Sequence, residues 1–207
     1  MGSTLIEILI FAVLAIFLIL RLGSVLGRRD GFEKPEGRVE TTKPLVRTSI
    51  QETPAATSGE GVDAIITADK QFSEQAFLAG AEKAYRLILE SFAKGDTKLL
   101  KPLLGYEMNI SFGEAIRDRK KAEEDLKITL HDISRVRIVK AWVKDGIASI
   151  VTEIQSRQSR VVRNDKGDII DGSETVTESF VDQWTFERDV ISENPNWLLV
   201  EAETLSD

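Results

Sequence analysis

The chain contains no cysteine. That excludes a disulfide scaffold, a thiolate zinc site, an iron–sulfur cluster and a cysteine nucleophile. There is a single histidine, His131, which removes every mechanism or metal site that needs two. Positive charge is in deficit, with 27 Lys and Arg against 34 Asp and Glu and a net charge of −7. Nonspecific nucleic-acid binding relies on Lys and Arg neutralising phosphates, so no nucleic-acid partner is expected. Proline is sparse: of five residues, Pro35, Pro44 and Pro54 crowd into one stretch. No metal ligand set and no cofactor motif stands out, so none is expected.

What remains is ordinary in bulk and uneven in distribution. The 207 residues are 42% hydrophobic and 29% charged, typical of a globular chain and enough for one domain with extensions. Thr4–Leu20 carries one ionisable residue, Glu7, and Ile8–Leu20 none. As a helix, those residues rise about 25 Å, close to the roughly 30 Å hydrocarbon core of a bilayer. A cleaved secretory signal would carry basic residues before the apolar run and a small-residue cleavage site after it, and neither is present. Residues 4–26 are therefore expected to be a single transmembrane anchor. Arg21, Arg28 and Arg29 follow the span and no basic residue precedes it, which predicts the N-terminus outside and the rest in the cytoplasm. Residues 27–67 are rich in Gly, Pro, Thr, Ser and charge, and predict a flexible polar linker. Seven basic against four acidic residues over 21–50 would attract anionic headgroups; equally, the arginines serve only to set topology.

The remaining segment, 68–207, predicts a folded domain. Asp69 reads as an N-cap, and Phe72, Ala76, Phe77, Ala81, Ala84, Tyr85, Ile88, Leu89 and Phe92 recur at helical spacing. Gly95 ends that helix, and Asp96 caps a short one weakened by Pro102. A third helix is predicted over 106–126. The period then changes. Ile133–Val143 is rich in β-branched residues, Lys144-Asp145-Gly146 is a turn signal, and Ile147–Val162 predicts a long strand. Asn164–Asp168 is the next turn, Thr175–Val190 alternates, and Trp197–Glu203 is the last strand. Short turns imply an antiparallel sheet. Helices first and strands afterwards imply an α+β fold, with the helices packed on one face of a curved sheet as a cone.

Several stretches together resemble the Tim44-like family: Phe77-Leu78-Ala79-Gly80-Ala81, Tyr85–Leu89, Ala93-Lys94-Gly95-Asp96, Gly167-Asp168 with Gly172, Asp182–Arg188, and Asn196-Trp197-Leu198-Leu199. The resemblance runs over about 72–203, and an N-terminal anchor with a polar tether is typical of its bacterial members. It implies an NTF2-like cone without catalysis. Mitochondrial relatives are peripheral inner-membrane scaffolds that tether a chaperone motor to the import channel, and their membrane contact is ascribed to the amphipathic helices that open the domain. Carried onto this sequence, that places membrane contact at Phe72, Phe77, Leu78 and Tyr85, beside Arg21, Arg28 and Arg29. This chain has an anchor of its own and lacks the long charged N-terminal region of the mitochondrial proteins, so only membrane-tethered scaffolding carries over. The partners expected are membrane lipid and a protein, such as a chaperone or a translocation or envelope component, at a bacterial inner membrane.

NTF2-like cones also house isomerases and dehydratases that use a buried Asp with Tyr or His partners. An alternative is therefore a small-molecule or lipid-binding cone, with Tyr85, Tyr106, Asp182, Trp184 and Phe186 as pocket residues. Asp182 is in phase with Trp184, and burial would raise its pKa; otherwise it binds a backbone group or Arg188. His131-Asp132 has no second chemical group near it in sequence and is expected at a surface or turn. Glu123-Glu124-Asp125 lacks the spacing of a calcium loop. The basic run Arg117-Asp118-Arg119-Lys120-Lys121 either meets headgroups or an acidic partner, or is a solvated face paired with Glu123 and Glu124.

Overall fold

The computed structural model describes residues 58–205. The expected anchor, the linker up to residue 57, and Arg21, Arg28 and Arg29 lie outside the described residues. In chain order the elements are β1 (Gly59–Glu60), α1 (Val62–Ala68), α2 (Glu74–Lys94), α3 (Thr97–Leu100), α4 (Tyr106–Lys121), β2 (Asp125–Lys144), β3 (Ile147–Arg163), β4 (Ile169–Gly172), β5 (Glu178–Asp189) and β6 (Leu198–Leu205). No helix among the described residues is long and apolar enough to cross a membrane.

Regular structure is already present at residue 59, within the stretch expected to be linker. Residues 59–67, which read as the end of a tether, carry β1 and α1. Gly59 and Glu60 pair with Val143 and Trp142. Ile65 of α1 is fully buried, and burying one such side chain contributes about 1.5–3 kcal/mol. That docking holds a seven-residue helix, too short to persist on propensity alone. Asp69 is not the N-cap of the long helix. It closes α1, its N–H donating to Ile65 O, and its carboxylate takes the Arg188 guanidinium. Ser73 caps α2 instead, accepting from Ala76 N–H at 3.3 Å. The other end follows the sequence: Gly95 takes the left-handed conformation at φ 67°, where a side chain would be strained. Asp96 Oδ1 accepts from the N–H groups of Lys98 and Leu99, both at 3.1 Å. Helix α4 stops at Lys121, not Leu126, because the chain has already turned into β2 by Asp125.

The sheet is antiparallel, in the order β1-β2-β3-β5-β6, with β4 paired to the far end of β3. Its curl has a local cause. Twenty residues of β2 face seventeen of β3, and the three excess residues are His131, Ser134 and Val139, each at a register shift. Each such bulge bends the strand and increases its twist. Asp145 and Gly146 both have positive φ, 52° and 80°, which is the two-residue turn whose twist matches the strands. Gly172, at φ 72°, lies so close to Arg160 that a Cβ there would sit 2.1 Å from its carbonyl oxygen.

Helix α2 crosses the concave face and buries Phe77, Ala81, Tyr85 and Ile88 against a core that includes Ile150, Ile154, Trp184 and Phe186. The α3–α4 connection is stitched to β6: Gly105 N–H donates to Leu199 O at 2.7 Å, and Leu199 N–H to Leu103 O at 2.9 Å. The Arg188–Asp69 pair ties β5 to the α1–α2 junction, with side chains only 14% and 13% exposed. Removing one partner of such a pair strands the other charge. Asp69→Asn should therefore lower stability by about 3 kcal/mol in urea unfolding. Lys94→Ala, which removes a solvent-exposed pair with Glu90, should leave the midpoint where it is.

Candidate functional site

Positions 154, 156, 158, 160 and 162 of β3 share one side of the sheet by strand alternation. Asp182 stands opposite Ile154 on one side and Thr204 on the other. Tyr85 descends on them from α2. The result is a buried polar cluster drawn from one helix and three strands.

Its hydrogen bonds run in one direction. Gln158 Nε2 donates to Tyr85 Oη at 2.7 Å, and Tyr85 Oη donates to Asp182 Oδ2 at 2.5 Å. Thr204 Oγ1 donates to Asp182 Oδ1 at 2.6 Å. Ser156 Oγ lies 3.0 Å from Tyr85 Oη and accepts from Gln158 Nε2 at 2.9 Å. Tyr85, Ser156, Gln158 and Asp182 are all buried. Burial raises the Asp182 pKa above its ordinary value, opposed by the Thr204 and Tyr85 hydrogen bonds and by the charge of Arg160. Burial and the neighbouring Asp182 also push the Tyr85 phenol far up, so it keeps its proton.

Asp182, Gln158 and Thr204 line a cavity of about 350 Å³ between the C-terminal half of α2, α4 and the sheet. Trp184 lines it too, with apolar walls that include Phe92, Met108, Phe112 and Val162. Charged residues of both signs border it, among them Asp118, Arg119, Glu124, Arg160 and Glu203. Arg119 donates through Nη2 to Phe92 O at 2.7 Å and Ala93 O at 2.9 Å, and burial lowers its pKa. It satisfies the exposed carbonyl end of α2. Elsewhere in that basic run Arg117 pairs with Glu114 at 3.5 Å and Lys121 with Asp118 at 3.2 Å. The ion pairs of this run are thus with Glu114 and Asp118 inside α4, not with Glu123 and Glu124, which lie beyond its end.

A second cavity, of about 510 Å³, lies under the N-terminal half of α2 and is lined by Phe72, Phe77, Phe186 and Trp197 among others. Phe77 meets Trp197 edge to face at 4.9 Å and Phe186 at 6.0 Å.

The structure brings Tyr85, Asp182 and Trp184 together; of these expected pocket residues Asp182 and Trp184 line the first cavity, and Tyr85, fully buried, lines neither. Phe186 belongs to the second cavity. Tyr106 does not join either; it is 78% exposed at the first turn of α4. Of the residues expected to touch lipid, Phe77 is 6% and Tyr85 0% exposed, and Phe72 and Leu78 are half-buried against the core. Phe77 and Tyr85 are therefore core residues: the apolar stripe of α2 is occupied by the sheet. Asp182 does not meet Arg188, which is engaged with Asp69. His131 is an exposed bulge residue in β2 whose Nε2 lies 3.0 Å from Ser159 Oγ. Among the described residues no group of three or more His, Asp or Glu could hold a metal ion. Sequence reasoning missed Ser156, Gln158 and Thr204. A signal was present: along β3, the positions in phase with Ala148 and Ile150 turn polar at Ser156 and Gln158.

A curled antiparallel sheet with helices across its concave face, enclosing a polar-floored cavity, defines an α+β cone. The family model for the Tim44-like domain matches residues 58–204, and the chain belongs to the Tim44-like family. Similar solved structures include the intermembrane-space region of the chloroplast protein ARC6, at 11% identity and a TM-score of 0.47, covering 63% of this chain and 97% of that one. A conserved protein from Planctomyces limnophilus DSM 3776 is similar at 14% identity and a TM-score of 0.33, covering 64% and 100%. No curated protein matches the chain.

Tyr85→Phe leaves Asp182 Oδ2 without its donor and should cost about 1–3 kcal/mol in urea unfolding. A raised carboxyl pKa means the folded state holds this proton more tightly than the unfolded chain. Stability from this group therefore declines as pH rises from the ordinary carboxylate range through the raised folded value, and is level above it. Asp182→Asn cannot ionise. Its thermal midpoint relative to wild type should climb with pH across that window; a difference constant with pH would contradict a carboxyl whose folded pKa is raised by burial.

Proposed function

We propose that the protein is a non-enzymatic, membrane-tethered interaction domain that holds a protein partner at the bilayer. The observation that carries this reading is the order of parts: a Tim44-like domain over 58–204 behind an apolar run at 4–20. The hydropathy of that run supports a single-pass anchor. The arginines behind it support an orientation with the N-terminus outside and the domain in the cytoplasm, at a bacterial inner membrane. A role in protein transport or chaperone recruitment rests on likeness to the family. The non-enzymatic reading is supported by Asp182, whose two oxygens are each held by a hydroxyl donor from the fold itself. Such a carboxyl serves the architecture before it serves a substrate. The cavity beside it supports a ligand-binding role as a second reading.

In-cell crosslinking of the full chain, compared with a version truncated after residue 57, tests the proposal. A chaperone or translocation component should be enriched with the full chain and missing from the truncated control. Equal recovery from both would end the interaction reading.

A further inference from the structure

The floor of the 350 Å³ cavity carries an atom that the fold leaves free. Gln158 is 4% exposed, and its amide nitrogen donates to Tyr85 and Ser156. The direction of the chain sets the amide: Tyr85 gives its proton to Asp182, so its oxygen accepts from Gln158 Nε2. Gln158 Oε1 then has no hydrogen-bond partner among the described residues, and Gln158 lines the cavity. That oxygen is not sealed in the core: the cavity that Gln158 lines is where a donor would meet it. A ligand that brings a donor into the cavity can satisfy it.

We propose that the cavity binds an apolar molecule carrying one neutral hydroxyl, inserted head first so that the hydroxyl donates to Gln158 Oε1. The walls set the tail: Phe92, Met108, Phe112 and Val162 offer no polar partner. At the roughly 30 Å³ that a water-sized group occupies, the volume suits about a dozen non-hydrogen atoms. The floor sets the head. Each Asp182 oxygen already accepts from a hydroxyl of the fold, Tyr85 or Thr204, whereas Gln158 Oε1 accepts from no side chain among the described residues. An anionic head would face that carbonyl oxygen and the Asp182 carboxyl, and an alkane would leave the carbonyl oxygen dry. The competing anion site is Arg160, which also lines the cavity. Its guanidinium lies 6.0 Å from the centre of the Phe180 ring, and it is the group an alkyl carboxylate would choose. Arg119 is already committed to the end of α2.

The inference goes beyond tethering, and ligand labelling and partner capture fail separately. The test uses the full chain in phosphatidylcholine nanodiscs and two photoreactive probes, a decanol and a decane each bearing a diazirine in mid-chain. Their competitors share one tail length: 1-decanol, decane and decanoate. Labelling by the decanol probe should map to cavity residues such as Met108 and Phe112. 1-Decanol should compete at about one-tenth the concentration of decane, the worth of one buried hydrogen bond. Ala115→Trp, which occupies the cavity from α4 and leaves every residue of the polar cluster unsubstituted, should abolish both labels. Gln158→Met should erase the advantage of the alcohol while the decane probe still labels. If Gln158→Met fails to fold, the decane label vanishes as well, and the wild-type ratio then decides. Equal competition by decane and 1-decanol overturns the proposal. So does labelling that survives Ala115→Trp. Decanoate as the best competitor, weakened by Arg160→Gln, also overturns it and assigns the cavity to an anion.

Discussion

A carboxyl inside a hydrophobic cone is the constraint around which this domain is arranged. Burying Asp182 without donors would cost several kcal/mol. Tyr85 and Thr204 offset that cost by reaching its two oxygens from opposite sides, one from α2 and one from β6. Both donors need their elements in one place. The rotation of α2 about its axis decides whether Tyr85 faces the floor, and the β5–β6 register decides whether Thr204 stands beside Asp182. The cluster therefore specifies how helix and sheet are docked, which apolar packing alone would leave looser.

The curl of the sheet supplies the space for it. Three bulges in β2 bend a long hairpin so that its concave face wraps α2. That helix spans two chambers of different character. Its first half covers the aromatic set of Phe72, Phe77, Phe186 and Trp197, and its second half covers the cavity floored by Gln158, Asp182 and Thr204. Arg119 closes the far end of the same helix by taking its last carbonyls. The apolar face of a single amphipathic element is thus engaged in the fold, and Arg119 ties α4 to its end, while Arg117 and Lys121 pair at the surface of their own helix.

This engagement bears on how a membrane role is pictured. An amphipathic helix in a sequence with an apolar leader invites the inference that its greasy face meets lipid. Here that face meets β3 and β5, with Tyr85 and Ile88 fully buried. In the tethered reading we propose, the hold on the membrane falls to the apolar run at 4–20, and the cone is left to offer its cavity and outer surface to other molecules.

Much of the architecture was legible in residue order. Helical spacing from Phe72 to Phe92, the Gly95 stop, the Asp96 cap and the Asp145-Gly146 turn act over a few residues, so the sequence by itself determined them. It also marked Asp182 and Trp184 as sharing a face, since strand alternation is local. It did not reveal the first third of β2, because the bulges at His131 and Ser134 interrupt the alternation that would announce a strand. Nor did it reveal α1, which is ordered by the burial of Ile65 and by pairing with a strand about eighty residues later. Whether Phe77 is core or surface, whether Asp69 caps α2 or holds Arg188, and which residues gather around Asp182 were decided by the tertiary structure alone. Those outcomes depend on contacts between residues some 70 to 120 positions apart, and a linear pattern carries no record of which distant side chain arrives to complete a hydrogen bond.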